Sequence, residues 1–334
     1  MGDDWVKEAT LDDVARRVGV SPRTVSRVVN NERGISEATR QRVLAAVEEL
    51  NYRPNMMARA LMTKRSRTVG LVGGEMTDPF FPAVAEAVEH RAWESGRIMF
   101  FASHRNDPKR QAEMLESLWS YAVDGAIVFP APGSIKQLRD YARRGLRIVV
   151  VDDFIRSPNV ACVQFDLEAG VHLGVRHLLE GGRRKIGMIA SAASSRRRRR
   201  RERSFRTVFD DAGIKPGTVV RAPTTVSGGA AGANELLGLE SDLDAIFTYN
   251  DLMAIGAIRA VQALGHRVPE DIAIIGFDDI EMSTFVTPAL TTIRLDRSLL
   301  GNEVTHALHN LIDAPGGTPE SAVLPVELVV REST

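Results

Sequence analysis

The 334-residue sequence predicts two parts of different class, a small all-α headpiece of helix-turn-helix type and a larger α/β domain of two doubly wound parallel-sheet subdomains. Three observations predict this. Short helical periods with strong caps fill the first fifty residues, a basic linker follows, and from Thr68 onward apolar strands alternate with helical segments.

The first helix has Thr10 as its N-cap and Asp12 and Asp13 in the first turn, where the helix dipole favours acid. Val14, Ala15 and Val18 share one face, and Gly19 supplies a left-handed stop. Ser21 then caps a second helix with Pro22 at its first position, where a missing N–H costs nothing. Val25, Val28 and Val29 form its buried side. A third helix begins near Ser36, carries Val43, Val47 and Leu50 at helical spacing, and stops around Asn51 and Tyr52. Two short helices joined by a tight turn containing glycine make a helix-turn-helix.

The second helix turns Arg23, Thr24, Ser26 and Arg27 away from its valines. Arginine can pair with guanine edges in the major groove, and hydroxyls suit phosphates, so this face fits duplex DNA. A solvated polar face on a three-helix bundle is the other reading of the same pattern. Charge distribution bears on the choice. The chain is neutral overall, yet residues 1–67 carry 13 basic and 9 acidic side chains and the remainder 30 and 34. Such asymmetry suits one end meeting a polyanion.

The run TLDDVARRVGVSPRTVSRVVNNERGISEATRQRVLAAVEELNYRPNMMARAL resembles the headpiece of the lactose-repressor (LacI-type) family of bacterial transcription regulators. VSPRTVSRVVN and the LNYRPN-x-x-A-R-x-L ending are its most specific parts. The resemblance implies that Pro22, Arg23 and Arg27 read bases, and that Ser21, Thr24, Ser26 and Asn30 serve phosphates. It also implies a hinge helix over Asn55 to Met62, with Asn55 and Arg59 in register and Leu61 wedging into the minor groove. Eight residues are too few for a stable isolated helix, and in the family two hinges pair only on the operator. An ordinary apolar linker residue is the other reading of Leu61. Lys64 to Arg67 form a short basic linker.

In the larger part, Val69–Val72, Ile98–Phe101, Gly125–Phe129, Ile148–Val151, Lys185–Ile189, Ala245–Thr248 and Ile272–Phe277 read as buried strands. Ligands in such folds sit beyond the carboxyl ends of strands. The pairs Asp152-Asp153, Asn250-Asp251 and Asp278-Asp279 follow strands and could bind hydroxyls of a polar ligand, although Asp and Asn are also common turn-formers.

The resemblance extends here through TYNDLMAIGAIRA, VPEDIAIIGFDD and TPALTTI. It implies a periplasmic-binding-protein-like effector domain whose cleft takes a sugar or sugar derivative, and residues Phe80, Asp152, Arg201, Asn250 and Asp278 as effector contacts. It implies a headpiece over 1–54, a hinge and linker over 55–67, and an effector-binding and dimerisation domain over 68–334. Within that domain the N-subdomain would hold about 68–164 and 294–318, and the C-subdomain 165–293 and 319–334. A homodimer on a pseudopalindromic operator and allosteric repression complete the expectation. The chain ends without a leucine heptad tail, so a dimer is expected rather than a coiled-coil tetramer.

Two departures stand out. Arg196 to Arg201 are six consecutive arginines, read either as a solvated helix start or as a cleft wall for an anionic effector. A single helical face can direct only two of the six inward. Residues 222–228 lack an aromatic found there in some relatives.

An enzyme on the same fold class is disfavoured. There is no GxxxxGK[ST], GxGxxG, HExxH or GxSxG motif, and His172 and His177 are five apart, off one helical face, so neither cofactor nor metal is expected. Cys162 lies in an apolar run and reads as a core residue, and a single cysteine suits a reducing compartment. The N-terminus MGDDWVKEAT has no apolar signal region, which argues against a transport-type binding protein and for the cytoplasm.

Overall fold

The computed structural model describes residues 9–53, 65–314 and 321–334. The chain forms two compact units, residues 1–66 and 67–334. The expected hinge residues Asn55, Arg59 and Leu61 lie outside the described residues.

The first unit holds three helices, α1 (Leu11–Val18), α2 (Pro22–Val29) and α3 (Glu37–Glu49). Thr10 and Asp13 form a reciprocal capping box at the start of α1, and Gly19 ends it in the left-handed region at φ 73°. Ser21 and Ser36 accept the backbone N–H of Thr24 and Thr39, so each helix begins where its cap residue stands. Val14, Val18, Val25, Val28, Val43 and Ala46 are buried together, with Leu11, Val29, Val47, Leu50 and Tyr52 packed around them. Arg42 donates to the Val18 carbonyl at 2.6 Å and Arg17 pairs with Glu49 at 2.7 Å, tying α3 to the end of α1.

The second unit contains two six-stranded sheets. The first comprises β1 (Thr68–Gly73), β2 (Ile98–Ser103), β3 (Gly125–Val128), β4 (Ile148–Val151), β5 (Val160–Phe165) and β11 (Ser321–Leu324), in the order β11-β5-β4-β3-β1-β2. The second comprises β6 (Ile186–Ser191), β7 (Val219–Ala222), β8 (Ala245–Thr248), β9 (Ala273–Asp278), β10 (Thr291–Arg294) and β12 (Glu327–Val329), in the order β12-β10-β9-β8-β6-β7. All neighbours run parallel except β12, which is antiparallel to β10. The central strands read as unbroken apolar runs because helices cover both faces. Helices α4 (Phe80–Glu94), α5 (Pro108–Ser120) and α6 (Ile135–Arg143) belong to the first half, and α7 (Leu167–Glu180), α8 (Arg196–Ala212), α9 (Val226–Leu239) and α10 (Asp251–Ala263) to the second. The chain passes between the halves after β5, returns after β10 into α11 (Arg297–Asp313), which packs on α4, and crosses again after β11.

The last crossing corrects one expected boundary. The resemblance puts residues 319–334 together in the second half, but Ser321–Leu324 pairs with Val160–Phe165 in the first sheet, and Glu327–Val329 joins the second. Each strand is three or four residues long, too short for periodicity to assign it to either sheet.

Among the described residues no helix is long and apolar enough to cross a membrane, and no group of three or more His, Cys, Asp or Glu could hold a metal ion.

Candidate effector cavity and DNA-facing helix

A cavity of about 400 Å³ opens at the carboxyl ends of the strands, between the two halves of the second unit. Its wall includes Asp78, Phe80, His104, Arg197, Arg201, Tyr249, Asn250 and Asp278. Phe80, Arg201, Asn250 and Asp278, the residues expected as effector contacts, line this cavity. Asp152 does not line this cavity. It lines a neighbouring space of about 270 Å³ and reaches the main cavity only through its ion pair with Arg197, at 3.2 Å.

The helix α8 supplies the basic wall. Ser195 accepts the backbone N–H of Arg198, which starts the helix at Arg196 and puts Arg197, Arg201, Ser204 and Phe205 along its inner side. Arg201 has no exposed surface. Its guanidinium carbon lies 3.7 Å from the centroid of Phe277 and 4.5 Å from that of Tyr249, and it donates from Nη1 to the Tyr249 carbonyl. Burial pulls its pKa below the ordinary value. Burial also opposes the charge on Arg197, but Asp152, then Tyr249, Asp278 and Asp78, outweigh it and hold that pKa raised.

The other four arginines of the run are held away from the cavity. Arg196 pairs with Asp153, Arg198 with Glu202, and Arg200 with Glu168 and Gln164, while Arg199 reaches only Ser194. Of the six, Arg197 and Arg201 line the cavity.

The acidic wall comes from strand ends. Asp278 closes β9 with φ 115°, and Asp152 follows β4 with φ 57°, both in the region L-residues rarely adopt. Such backbone persists where surroundings over-determine it, typically at ligand clamps. Burial first, then the nearby Asp78, raises the Asp278 carboxyl well above its usual range. Burial likewise lifts Asp78, against the Phe80 N–H, Arg197 and Asn250, which favour its anion. Asn250 caps α10 by accepting the Met253 N–H at 3.1 Å and favours the anion of Asp78.

In each dipeptide singled out from sequence, the second residue serves structure. Asp251 is buried and accepts from Thr292 Oγ1, Ser283 Oγ and the Ile280 N–H. Asp279 pairs with Arg294 and Arg331, and Asp153 with Arg196. Asp78, His104 and Tyr249 stand on the wall without having been singled out from sequence, and Arg197 was singled out only as one of six arginines. His104 Nε2 lies 2.8 Å from the Phe129 carbonyl and its Nδ1 accepts the Asn106 N–H, which assigns the neutral tautomer. Burial pushes its pKa down. Thr224, Thr225 and Val226 line the cavity at the stretch expected to lack an aromatic, so no ring faces the ligand space from that side.

In the first unit, Arg23 is exposed on α2 and the valines lie on the far face. Arg27 is tied down locally, donating to Glu32 at 3.3 Å and to the Arg33 carbonyl at 2.7 Å. Ser21 Oγ lies 2.9 Å from Thr24 Oγ1, and Asn30 donates to Ser26 Oγ at 3.3 Å. Those side chains are ordered by one another at the edge of the helix.

Helix-turn-helix unit and two-sheet cleft domain together define a DNA-binding transcription regulator. Residues 10–55 match the model of bacterial regulatory proteins of the lacI family, and residues 175–334 that of a periplasmic binding protein-like domain. The HTH-type transcriptional repressor PurR of Mannheimia succiniciproducens is 32% identical over 333 residues, covering 97% of this chain and 98% of that protein. PurR of Aliivibrio salmonicida is 33% identical over 328 residues, with the same coverage. A lac repressor dimer solved with operator and the anti-inducer ONPF superposes with a TM-score of 0.89 at 30% identity, covering 98% of this chain and 99% of that one. The transcriptional regulator CelR in complex with cellobiose superposes with a TM-score of 0.74 at 30% identity, covering 98% and 100%. The chain belongs to the LacI family of bacterial regulatory proteins.

Proposed function

We propose that this chain is a repressor that binds a pseudopalindromic operator as a homodimer and is controlled by a small polyhydroxylated molecule in the cavity of its second unit. The observation that carries the sensing half is Arg201. A guanidinium without exposed surface, offering Nε and Nη2 with no acceptor among the described residues, faces a polar cavity that also holds Asn250 and Asp278. Buried donors of this kind call for a ligand that accepts hydrogen bonds. Carboxylates beside them suit ligand hydroxyls, so a sugar or sugar derivative fits both walls. Relatives support this: CelR was solved with cellobiose, and a LacI family regulator from Enterococcus faecium, 26% identical with a TM-score of 0.72, with ribose.

For DNA, Pro22, Arg23 and Arg27 read bases, with Arg27 first leaving its intramolecular partners, and Ser21, Thr24, Ser26 and Asn30 serve phosphates. Asn55, Arg59 and Leu61 act at the minor groove, following the resemblance. Two headpieces lie about one helical turn apart on one face of the duplex. The effector changes the angle between the two halves of the second unit and thereby the spacing of the headpieces. That is a coupling of about 1–3 kcal/mol, equal in both directions. Titrating a panel of neutral sugars, sugar acids and sugar phosphates against an operator complex tests the reading: one member shifts operator affinity several-fold, and Arg201→Met abolishes the shift. A shift that survives Arg201→Met would place the sensor elsewhere.

A further inference from the structure

Arg197 and Arg201 stand one helical turn apart on α8 and line the same cavity, yet their hydrogen-bonding capacity is largely unused. Nε of Arg197, and Nε and Nη2 of Arg201, are buried with no acceptor among the described residues. The partner of Arg197 is Asp152, which comes from the opposite half of the second unit at the end of β4. That pair is a close charge contact rather than a well-formed hydrogen bond. Nη2 and Oδ2 are 3.2 Å apart, yet Oδ2 has no hydrogen-bond partner, while Oδ1 accepts the Phe165 N–H at 3.1 Å. A bidentate fork would use both Arg197 nitrogens; here one is idle.

Three unfilled donors and two guanidinium groups therefore meet on one wall; Asp152 pairs with Arg197 from across the cleft, and Asp278 and Asp78 act on it at longer range. A hydroxyl can satisfy one such donor, but only a group with several anionic oxygens satisfies all three and compensates the charge as well. Asp78, Asn250 and Asp278, which line the same cavity, are suited to hydroxyls. We propose that Arg197 determines the charge class of the effector: the ligand is a polyhydroxylated molecule bearing a carboxylate or phosphate, and its anionic oxygens replace Asp152 on Arg197 and fill the open positions of Arg201. Asp152 is then an internal competitor, holding Arg197 until an anion arrives. This inference rests on the cavity of the second unit being the effector site, and it makes opposite predictions for the two partners of one ion pair.

The test uses the full chain and two simple probes, inorganic phosphate and acetate, each compared with sodium chloride at equal ionic strength. Thermal melts and calorimetric titration are run on the wild type, Arg197→Ser and Asp152→Asn. Phosphate or acetate stabilises the wild type beyond chloride, Asp152→Asn binds the same anion several-fold more tightly, and Arg197→Ser loses the increment. A response to acetate alone identifies a carboxylate ligand, and to phosphate alone a phosphoester. No response beyond chloride, an unchanged response in Arg197→Ser, or weaker anion binding in Asp152→Asn overturns the proposal. Asp152→Asn decides the matter by itself if Arg197→Ser does not fold. Cellobiose and ribose are titrated alongside: stabilisation by a neutral sugar, equal in wild type and Arg197→Ser, together with silence toward both anions, sinks the anion assignment and leaves the cavity reading standing.

Discussion

The guanidinium carbon of Arg201 lies over Phe277, 3.7 Å from the ring centroid, on the wall of the cavity. A buried charge with two unfilled donors is costly, and a methionine of similar length removes that desolvation cost. Arg201→Met is therefore expected to raise the urea midpoint of the unliganded protein while removing its response to effector. A variant that is destabilised by several kcal/mol would show that Arg201 holds the fold rather than the ligand.

Asp278 carries a pH signature. Its pKa is raised by burial and by Asp78, so the folded protein keeps this proton to higher pH than the unfolded chain does. Stability contributed at this position is present at low pH and declines as pH rises above the ordinary carboxylate range. Asp278→Asn, which stays neutral, should gain stability relative to wild type as pH increases from about 4 to 7, an interval that begins near the unfolded carboxylate value. Thermal melts of both proteins across that range check it. A constant difference would mean that Asp278 titrates normally.

Gly276 tests the packing beneath the site. A Cβ there would run into Asp251 Oδ1 and lie 2.9 Å from Leu290 Cδ2. Asp251 has no room to yield, because Thr292, Ser283 and the Ile280 N–H hold it. Burial pushes its pKa up to about 6 despite those donors. Gly276→Ala is expected to cost about 1–3 kcal/mol, the usual range for overpacking. Chemical denaturation of the second unit within the full chain measures this. A loss near zero would contradict the close approach.

The headpiece was legible in sequence because its signals are local. Thr10, Gly19, Ser21, Pro22 and Ser36 each act on the turn they occupy, and each stands at a helix end in the structure. The central strands were legible for a similar reason, being unbroken apolar runs. The cavity was legible only in part. Asn250 and Asp278 follow strands and stand on its wall, but nothing in six identical arginines distinguishes Arg197 and Arg201. The Ser195 cap sets that register, together with the need to bury Phe205 and Phe209. Asp251, paired with Asn250 in sequence as a possible ligand contact or turn-former, is buried because Ser283 and Thr292 close over it from segments about thirty and forty residues away. The strand Ser321–Leu324 takes its place from pairing with the distant segment Val160–Phe165, which no local pattern encodes.

On the DNA side, Arg23 is the exposed arginine of α2, whereas Arg27 is engaged with Glu32 and Arg33. Arg23→Ala should cost about 1–3 kcal/mol of operator affinity and relax preference at one base position per half-site. Arg27→Ala should also loosen the segment after α2, since its two local contacts vanish with it. Competition titrations against single-base operator variants separate the two cases. Unchanged specificity in Arg23→Ala would remove it from base reading.

The central claim is that α2 reads duplex DNA in a two-fold symmetric assembly. Selection of bound duplexes from a random-sequence pool by the full chain, at physiological salt with and without effector, tests it most directly. The expected result is one enriched pseudopalindrome with half-sites centred about one helical turn apart. Enrichment of no sequence under any condition, or of a site without two-fold symmetry, would contradict it.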